Sequence, residues 1–190
     1  MRLWKLDGPA WCPGDRLVIV DRDGVINEDT GHVGTFRDFV WTEDAVDAVK
    51  WLDDHGYRIA VATNQAGIAR GLYTEGEFDI LMRAVDDELA TRGARLDAVY
   101  YCPHHPSEGT PRYRRVCRCR KPAPGMLLAI VDDFGASKED CVMIGDKPSD
   151  AGAAAAAGIR SVTYEGGSLL AFVKVLDEEW LSARGLRKGR

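Results

Sequence analysis

Short apolar runs alternate with amphipathic stretches in this chain, and nearly every run hands over to a polar or reactive residue. Leu17 to Val20 reads as a fully buried strand running into Asp21. Arg58 to Ala62 reads as a second, ending at Thr63, and Ala98 to Tyr101 as a third, ending at Cys102. Cys141 to Ile144 makes a fourth, running into Gly145 and Asp146, and Arg160 to Thr163 a fifth. Apolar spacing near i, i+3 and i+4 predicts helices over Glu43–His55, Thr74–Arg92, Pro124–Phe134 and Pro148–Ala157, with a last one over Ser168–Leu181. Thr74 followed by Glu77 is a capping-box pair. Pro124 stands in a first helical turn, and Gly56 and Gly158 act as stops. The basic end, ARGLRKGR, is expected to fray. Strands alternating with helices imply the α/β class: a doubly wound, Rossmann-like, mostly parallel sheet with helices on both faces. The 190 residues suit one domain, 1–190, rather than two.

Charge and composition remove several functions. With 25 basic against 30 acidic residues the net charge is −5, which argues against a nucleic-acid partner. No stretch approaches the roughly 18 unbroken apolar residues of a membrane span. The start, MRLWKLDGPAWCPG, has no apolar h-region, so a cytoplasmic protein without a membrane partner is expected. Five cysteines without an export signal suit a metal site or free thiols better than a disulfide framework.

Position then points to chemistry. In open α/β sheets ligands bind beyond the carboxyl ends of the strands. Asp21, Thr63, Cys102 and Asp146 all fall there, on different strands. In DRDGVIN, Asp21 and Asp23 are two residues apart after a buried strand. Two carboxylates that close are costly unless one is protonated or a cation lies between them, and Mg²⁺ is the natural hard cation. Such a carboxylate can also attack phosphorus and form an aspartyl-phosphate. A DxDG segment alone reads equally as a turn, and Asp146 in GDKPSD strengthens the chemical reading. Asp150 either joins the metal's surroundings or caps the following helix, the cap being preferred.

The second pattern is Cys102-x-His104 followed by Cys117-x-Cys119. Three thiols and one imidazole can close a tetrahedral Zn²⁺ site with no open position, which marks a structural role. Reduced surface cysteines are the alternative, and His105 is a rival ligand. Cys12 and Cys141 have no partners at ligand spacing. A metal would also account for the long patternless loop from Pro103 to Pro122. Arg112, Arg114, Arg115, Arg118, Arg120 and Lys121 crowd into that loop. They read either as a solvated charge run or as the binding surface for an anion. Arg120 is the best placed, its guanidinium fork suiting a second phosphate or sugar hydroxyls.

Taken in order, DRDGVIN, Thr63-Asn64-Gln65, Arg120-Lys121-Pro122 and GDKPSD resemble the four motifs of haloacid-dehalogenase-type phosphatases, over about residues 17–165. TNQAGIARG and the CPHHP…CRCRKP loop narrow the resemblance to the D-glycero-D-manno-heptose 1,7-bisphosphate phosphatases, with histidinol-phosphate phosphatase nearest in pattern. The resemblance implies that Asp21 is nucleophile and Mg²⁺ ligand. Asp23 is then general acid and base, binding Mg²⁺ through its carbonyl. Thr63 and Lys121 hold the transferring phosphoryl group, and Asp146 is the second carboxylate on Mg²⁺. It also implies sugar contacts from Asp29, Thr30, Gly31 and His32, where relatives often carry Gly-Tyr, and from Asn64, Gln65 and Ala66, where Ser is frequent. Arg120 and Lys147 complete the substrate side. The same resemblance makes Cys102, His104, Cys117 and Cys119 the Zn²⁺ ligands of a zinc loop, 102–121, and prefers His104 because the pattern is Cys-Pro-His. The spacings from Asp21 to Thr63 and from Thr63 to Asp146 leave no room for a cap domain. The expected activity is Mg²⁺-dependent removal of the C7 phosphate of heptose 1,7-bisphosphate, in nucleotide-activated heptose synthesis for lipopolysaccharide or capsule. Histidinol phosphate is the alternative substrate. The expected partner is a small-molecule sugar bisphosphate, and the expected state a monomer.

Overall fold

The computed structural model describes residues 2–5, 11–12 and 15–183. The basic tail expected to fray lies almost wholly outside them. Six strands form one sheet: β1 (Arg2–Lys5), β2 (Arg16–Val20), β3 (Tyr57–Asn64), β4 (Ala98–Cys102), β5 (Cys141–Gly145) and β6 (Arg160–Thr163), in the spatial order β1-β4-β3-β2-β5-β6. β2 to β6 are mutually parallel, and β1 adds an antiparallel edge against β4. Sequence reading missed β1. Four residues of weak alternation carry little local signal, and the strand exists through its pairing with Ala98 to Tyr100.

The described residues also form six α-helices: α1 (Ala45–Asp54), α2 (Ala66–Arg70), α3 (Glu75–Thr91), α4 (Gly125–Phe134), α5 (Pro148–Ala157) and α6 (Leu169–Ala183). α5 has the expected bounds, and α3 carries the expected capping box, with Glu77 N–H donating to Thr74 Oγ1. α1 starts later than the periodicity suggests because Asp44 sits in the left-handed region at φ 57°. α2 has no counterpart among the helices that periodicity predicts, because five residues are too few to register as a period.

The pleat of the parallel strands sends alternate residues into two cores. Val18, Val20, Ile59, Val61, Val99, Val142 and Ile144 pack with residues of α1, α3 and α6. Leu17, Ile19, Ala60, Ala62, Ala98 and Met143 pack with residues of α4 and α5. On that second face, alanines of the sheet meet Ala153, Ala154 and Ala157, so the helix can lie close to the strands. Both faces being covered explains why the strands read as unbroken apolar runs. Only a 3₁₀ turn (Phe36–Asp38) and α1 separate β2 from β3, and no cap domain interrupts the described residues.

Topology places the site. From β2 the chain builds outward through β3 and β4, then returns across β2 to lay down β5 and β6. β2 is thus the strand beside which the winding reverses, and a crevice opens at its carboxyl end. Asp21 is the first residue past that end, and its N–H donates to Ile144 O of β5 at 2.9 Å.

Candidate active site

Asp21, Thr63 and Asp146 stand at the carboxyl ends of β2, β3 and β5, as their positions after apolar runs predicted. Lys121 reaches them from the loop after β4. Its ammonium is 2.9 Å from Asp21 Oδ1 and 2.5 Å from Asp150 Oδ1, and it donates to Ala62 O at 2.7 Å. All three charged residues are buried. Asn64 fixes the lysine's main chain, accepting from Lys121 N and donating to Lys121 O, each at 3.0 Å.

Asp150 takes the preferred role of helix cap and meets Lys121 besides. Its Oδ2 accepts from Lys147 N at 3.1 Å, capping α5, while Oδ1 meets Lys121. Oxygens of Asp21, Asp146 and Asp150 come within 4.8 Å of one another. Burial pushes the Asp21 carboxyl up to about 6, against the pull of Lys121. Burial also raises Asp146, with Lys147 pulling the other way, and Asp146 Oδ1 is buried without a hydrogen-bond partner among the described residues. One buried ammonium does not balance this carboxylate cluster. Hard oxygen donors, excess negative charge and an orphaned oxygen fit a divalent cation such as Mg²⁺.

Asp23 is held differently. Its Oδ1 accepts from Arg22 Nη2 at 2.6 Å, Arg22 Nε at 3.1 Å and Asn27 Nδ2 at 3.2 Å, and its Oδ2 from Gln65 Nε2 at 3.0 Å. Gln65 also donates to Thr63 Oγ1 at 2.7 Å and accepts from the Tyr73 hydroxyl at 2.6 Å. Burial pushes Tyr73 up to about 12, so it remains a donor. Gln65, expected to meet sugar, therefore directs its amide at Asp23 and Thr63. Arg22 and Tyr73 were not singled out from the sequence; the signal was an arginine inside an otherwise acidic DxDG turn. Arg22 is fully buried, stacks near the Phe78 ring and donates to Val33 O at 3.0 Å.

A cleft of about 420 Å³ opens over these groups. Asp23, Asp29, Gly31, His32, Asn64, Gln65, Ala66, Arg120, Lys121 and Lys147 line it, and of the expected sugar-contacting residues only Thr30 is absent from its wall. Lys147 Nζ lies 2.7 Å from Asp29 Oδ2 and 3.9 Å from Asp146 Oδ2. Arg120 donates to His104 O at 3.0 Å. Of the basic run, only Arg120 and Lys121 reach the cleft; Arg112 pairs with Glu75, and Arg114, Arg115 and Arg118 are exposed. Arg70 and Ser149 also line it; they stand inside the TNQAGIARG and GDKPSD motifs, which gave neither a role of its own.

Cys102, His104, Cys117 and Cys119 converge. The Cys119 sulfur lies 3.3 Å from Cys102, 3.2 Å from Cys117 and 3.4 Å from His104 Nδ1, and Cys102 lies 3.5 Å from Cys117 and 3.6 Å from His104 Nδ1. With zinc–sulfur bonds of about 2.3 Å, ligand atoms at tetrahedral corners stand about 3.8 Å apart, so small outward shifts would seat the ion. Hydrogen bonding from Cys102, reinforced by Cys117 and His104, holds the Cys119 thiol down at about 4. His105 is turned away, its Nδ1 accepting from Glu108 N at 3.0 Å. The alternative of scattered surface thiols is not what this packing describes.

The comparisons with known proteins agree with the geometry. A hydrolase-like family model, described as HAD-hydrolase-like, matches residues 118–171. The D-glycero-beta-D-manno-heptose-1,7-bisphosphate 7-phosphatase of Salmonella typhi is 44% identical over 142 residues, covering 75% of this chain and 76% of that protein. The chain belongs to this phosphatase family. The Rhodopseudomonas palustris member is 40% identical over 165 residues, 87% of this chain and 92% of its own. A crystal structure of the D,D-heptose 1,7-bisphosphate phosphatase from B. bronchiseptica, complexed with magnesium and phosphate, superposes with a TM-score of 0.76 at 28% identity. It covers 86% of this chain and 99% of that one. The phosphatase fold and family thus stand on sequence and shape together.

Gly24 tests the compactness of the carboxylate cluster. It adopts φ +91°, and a Cβ there would lie 2.2 Å from Asp146 Oδ2. Gly24→Ala is expected to displace Asp146 and to lower Mg²⁺-dependent phosphate release by about tenfold or more, with backbone strain of about 1–3 kcal/mol appearing as a lowered denaturation midpoint. Undiminished phosphate release at saturating Mg²⁺ would show that Asp146 has freedom to move.

Proposed function

We infer that this phosphatase removes the C7 phosphate of D-glycero-beta-D-manno-heptose 1,7-bisphosphate and releases the heptose 1-phosphate. The observation that carries the reading is the 44% identity to a relative of that name, on a chain whose motif residues converge on one cleft. Asp21, Asp146 and the Asp23 carbonyl would hold Mg²⁺, which, when bound, offsets charge on the phosphoryl oxygens. The Asp21 carboxylate attacks phosphorus, and the bond from phosphorus to the C7 oxygen breaks. Asp23 delivers its proton to that oxygen, so the sugar leaves as an alcohol. Asp23 then takes a proton from water, whose oxygen attacks the aspartyl-phosphate; inorganic phosphate departs and Asp21 is restored. Lys121 and Thr63 position the transferring group, since phosphoryl transfer is chiefly a matter of orientation and charge stabilisation.

The second phosphate falls to the basic wall of the cleft. Lys121 is engaged by Asp21 and Asp150, and Lys147 by Asp29, whereas among the described residues Arg120 meets only a neutral carbonyl. Asp29, Gly31, His32 and Ala66 would frame the sugar. Histidinol phosphate has no second phosphate and carries an amine that this wall repels. In this reading the enzyme is a cytoplasmic monomer of one capless domain, supplying heptose 1-phosphate for lipopolysaccharide or capsule sugars. No helix among the described residues is long and apolar enough to cross a membrane.

The four-ligand cluster would hold structural Zn²⁺ through Cys102, His104 Nδ1, Cys117 and Cys119. With the metal on Nδ1, the ring proton belongs on Nε2, which now faces Arg115 Nη2 at 2.6 Å. Two donors cannot share that contact, so holding zinc on Nδ1 would require Arg115 to leave Nε2.

Asp21→Asn is expected to fold normally and to abolish turnover, because an amide is a far weaker nucleophile; retention of about a tenth of wild-type phosphate release would refute the nucleophile assignment. Kinetics on a panel holding the heptose bisphosphate and histidinol phosphate should favour the bisphosphate, and the reverse preference would move the enzyme to histidine synthesis. Arg120→Ala is expected to cost about 10- to 100-fold in kcat/KM on the bisphosphate and less on a simple monophosphate. Elemental analysis is expected to find about one zinc per chain, and Cys119→Ser to lower the melting temperature together with activity by loosening Arg120 and Lys121. Carefully purified protein free of zinc would refute the structural metal.

A further inference from the structure

Arg70, the arginine of the TNQAGIARG segment, lines the same cleft as Asp23, Arg120 and Lys147. It ends α2, whose other four residues are buried, so it is the part of that helix that solvent and ligand can reach. Its Nε donates to Glu108 Oε2 at 2.8 Å, in the loop between β4 and α4. Its Nη1 stands 2.6 Å from His32 Nε2, in the loop after β2. One guanidinium thereby joins the helix behind Thr63 to both loops that border the cleft. Arginine can only donate, so His32 Nε2 accepts, and the neutral ring carries its proton on Nδ1. Arg70 Nη2 has no hydrogen bond among the described residues.

The charge environment sets Arg70 apart from its neighbours. Lys121 and Lys147 each face carboxylates within the site itself. The carboxylate facing Arg70 is Glu108, whose side chain is 55% exposed, so water screens the pair. A phosphate offers a stronger, bidentate match to the same fork. In the reading above, Lys121 and the carboxylate cluster serve the transferring phosphate, which leaves a cation on the rim of the cleft for a more distant anion.

We propose that Arg70 is a specificity-determining residue that binds the second phosphate of the sugar bisphosphate alongside Arg120, with His32 as the neutral partner that keeps its guanidinium on the rim of the cleft. The proposal rests on the bisphosphatase reading above. Replacing the fork removes a contact to the distal group and leaves the attack at phosphorus alone.

The test compares the Mg²⁺- and zinc-loaded wild type with Arg70→Gln and Arg70→Lys, on the heptose bisphosphate and on p-nitrophenyl phosphate, which has no second phosphate. Arg70→Gln is expected to lower kcat/KM on the bisphosphate by about 10- to 100-fold, mostly through KM, and to change the monophosphate by less than about threefold. Arg70→Lys should recover part of the loss. In an Asp21→Asn background, Arg70→Gln should weaken calorimetric binding of heptose 1-phosphate by a similar factor, and melting curves check that each variant folds. Equal losses on both substrates, or unaltered binding of the sugar 1-phosphate, would overturn the proposal. A wild type with no preference for the bisphosphate would remove the underlying reading and this proposal together; a preference that survives Arg70→Gln intact would remove this proposal alone.

Discussion

A buried ammonium organises this molecule. Lys121 is 2% exposed and touches oxygens of Asp21, Asp150 and Ala62, which belong to the end of β2, the start of α5 and the body of β3. Breaking a buried pair by removing one partner typically costs about 3–5 kcal/mol, because the other charge is left uncompensated. The segment that carries Lys121 must therefore be seated before the site exists. Asn64 grips that segment's main chain from β3, and Gly125 N–H donates to Arg118 O at 2.8 Å from the following helix. The catalytic end of the sheet and the long loop are in this sense one structure.

That dependence gives the cysteine cluster its meaning. Residues 103–124 contain no helix or strand. A loop of this length has little apolar surface with which to hold itself, so its order has to come from specific contacts. Thr110 N–H donates to Ala69 O at 2.8 Å, tying the loop to α2, and the four converging ligand atoms tie its base to the end of β4. Cys119 is separated from Lys121 by Arg120 alone, so whatever fixes the sulfur cluster also fixes the two cations facing the cleft. A structural metal here would act on catalysis through position.

The acidic side of the cleft follows from the same topology. The winding reverses beside β2, which leaves a crevice where Asp21 and Asp146 meet, and only glycine at position 24 lets the first turn pass so close to Asp146. Asp23 is turned toward Arg22, Asn27 and Gln65 instead. Two carboxylates of one DxD segment thus receive different surroundings: one beside an ammonium and further carboxylates, the other in a web of donors.

Much of this was legible in the sequence, because it depends on local pattern. Unbroken apolar runs announced a sheet buried on both faces, and the polar residue after each run marked the end where a ligand binds. Thr74 with Glu77 announced α3, and the ordered motifs pointed to Asp21, Thr63, Lys121 and Asp146, which meet at the carboxyl ends of the strands. Folding alone decided what depends on meetings between distant segments. β1 exists because β4 offers it an edge. α2 is too short to show a period and stands because its residues are buried behind β3. Gln65 turned to Asp23 and Thr63 because Tyr73 and the cleft wall close around it. Asp150 became partner to Lys121 as well as helix cap, and Arg70 came to face His32 and Glu108, 38 residues away in each direction. Periodicity and motif order are written along the chain, whereas the pairing of a buried charge or a rim arginine is settled only when the packed sheet brings its partner within hydrogen-bond reach.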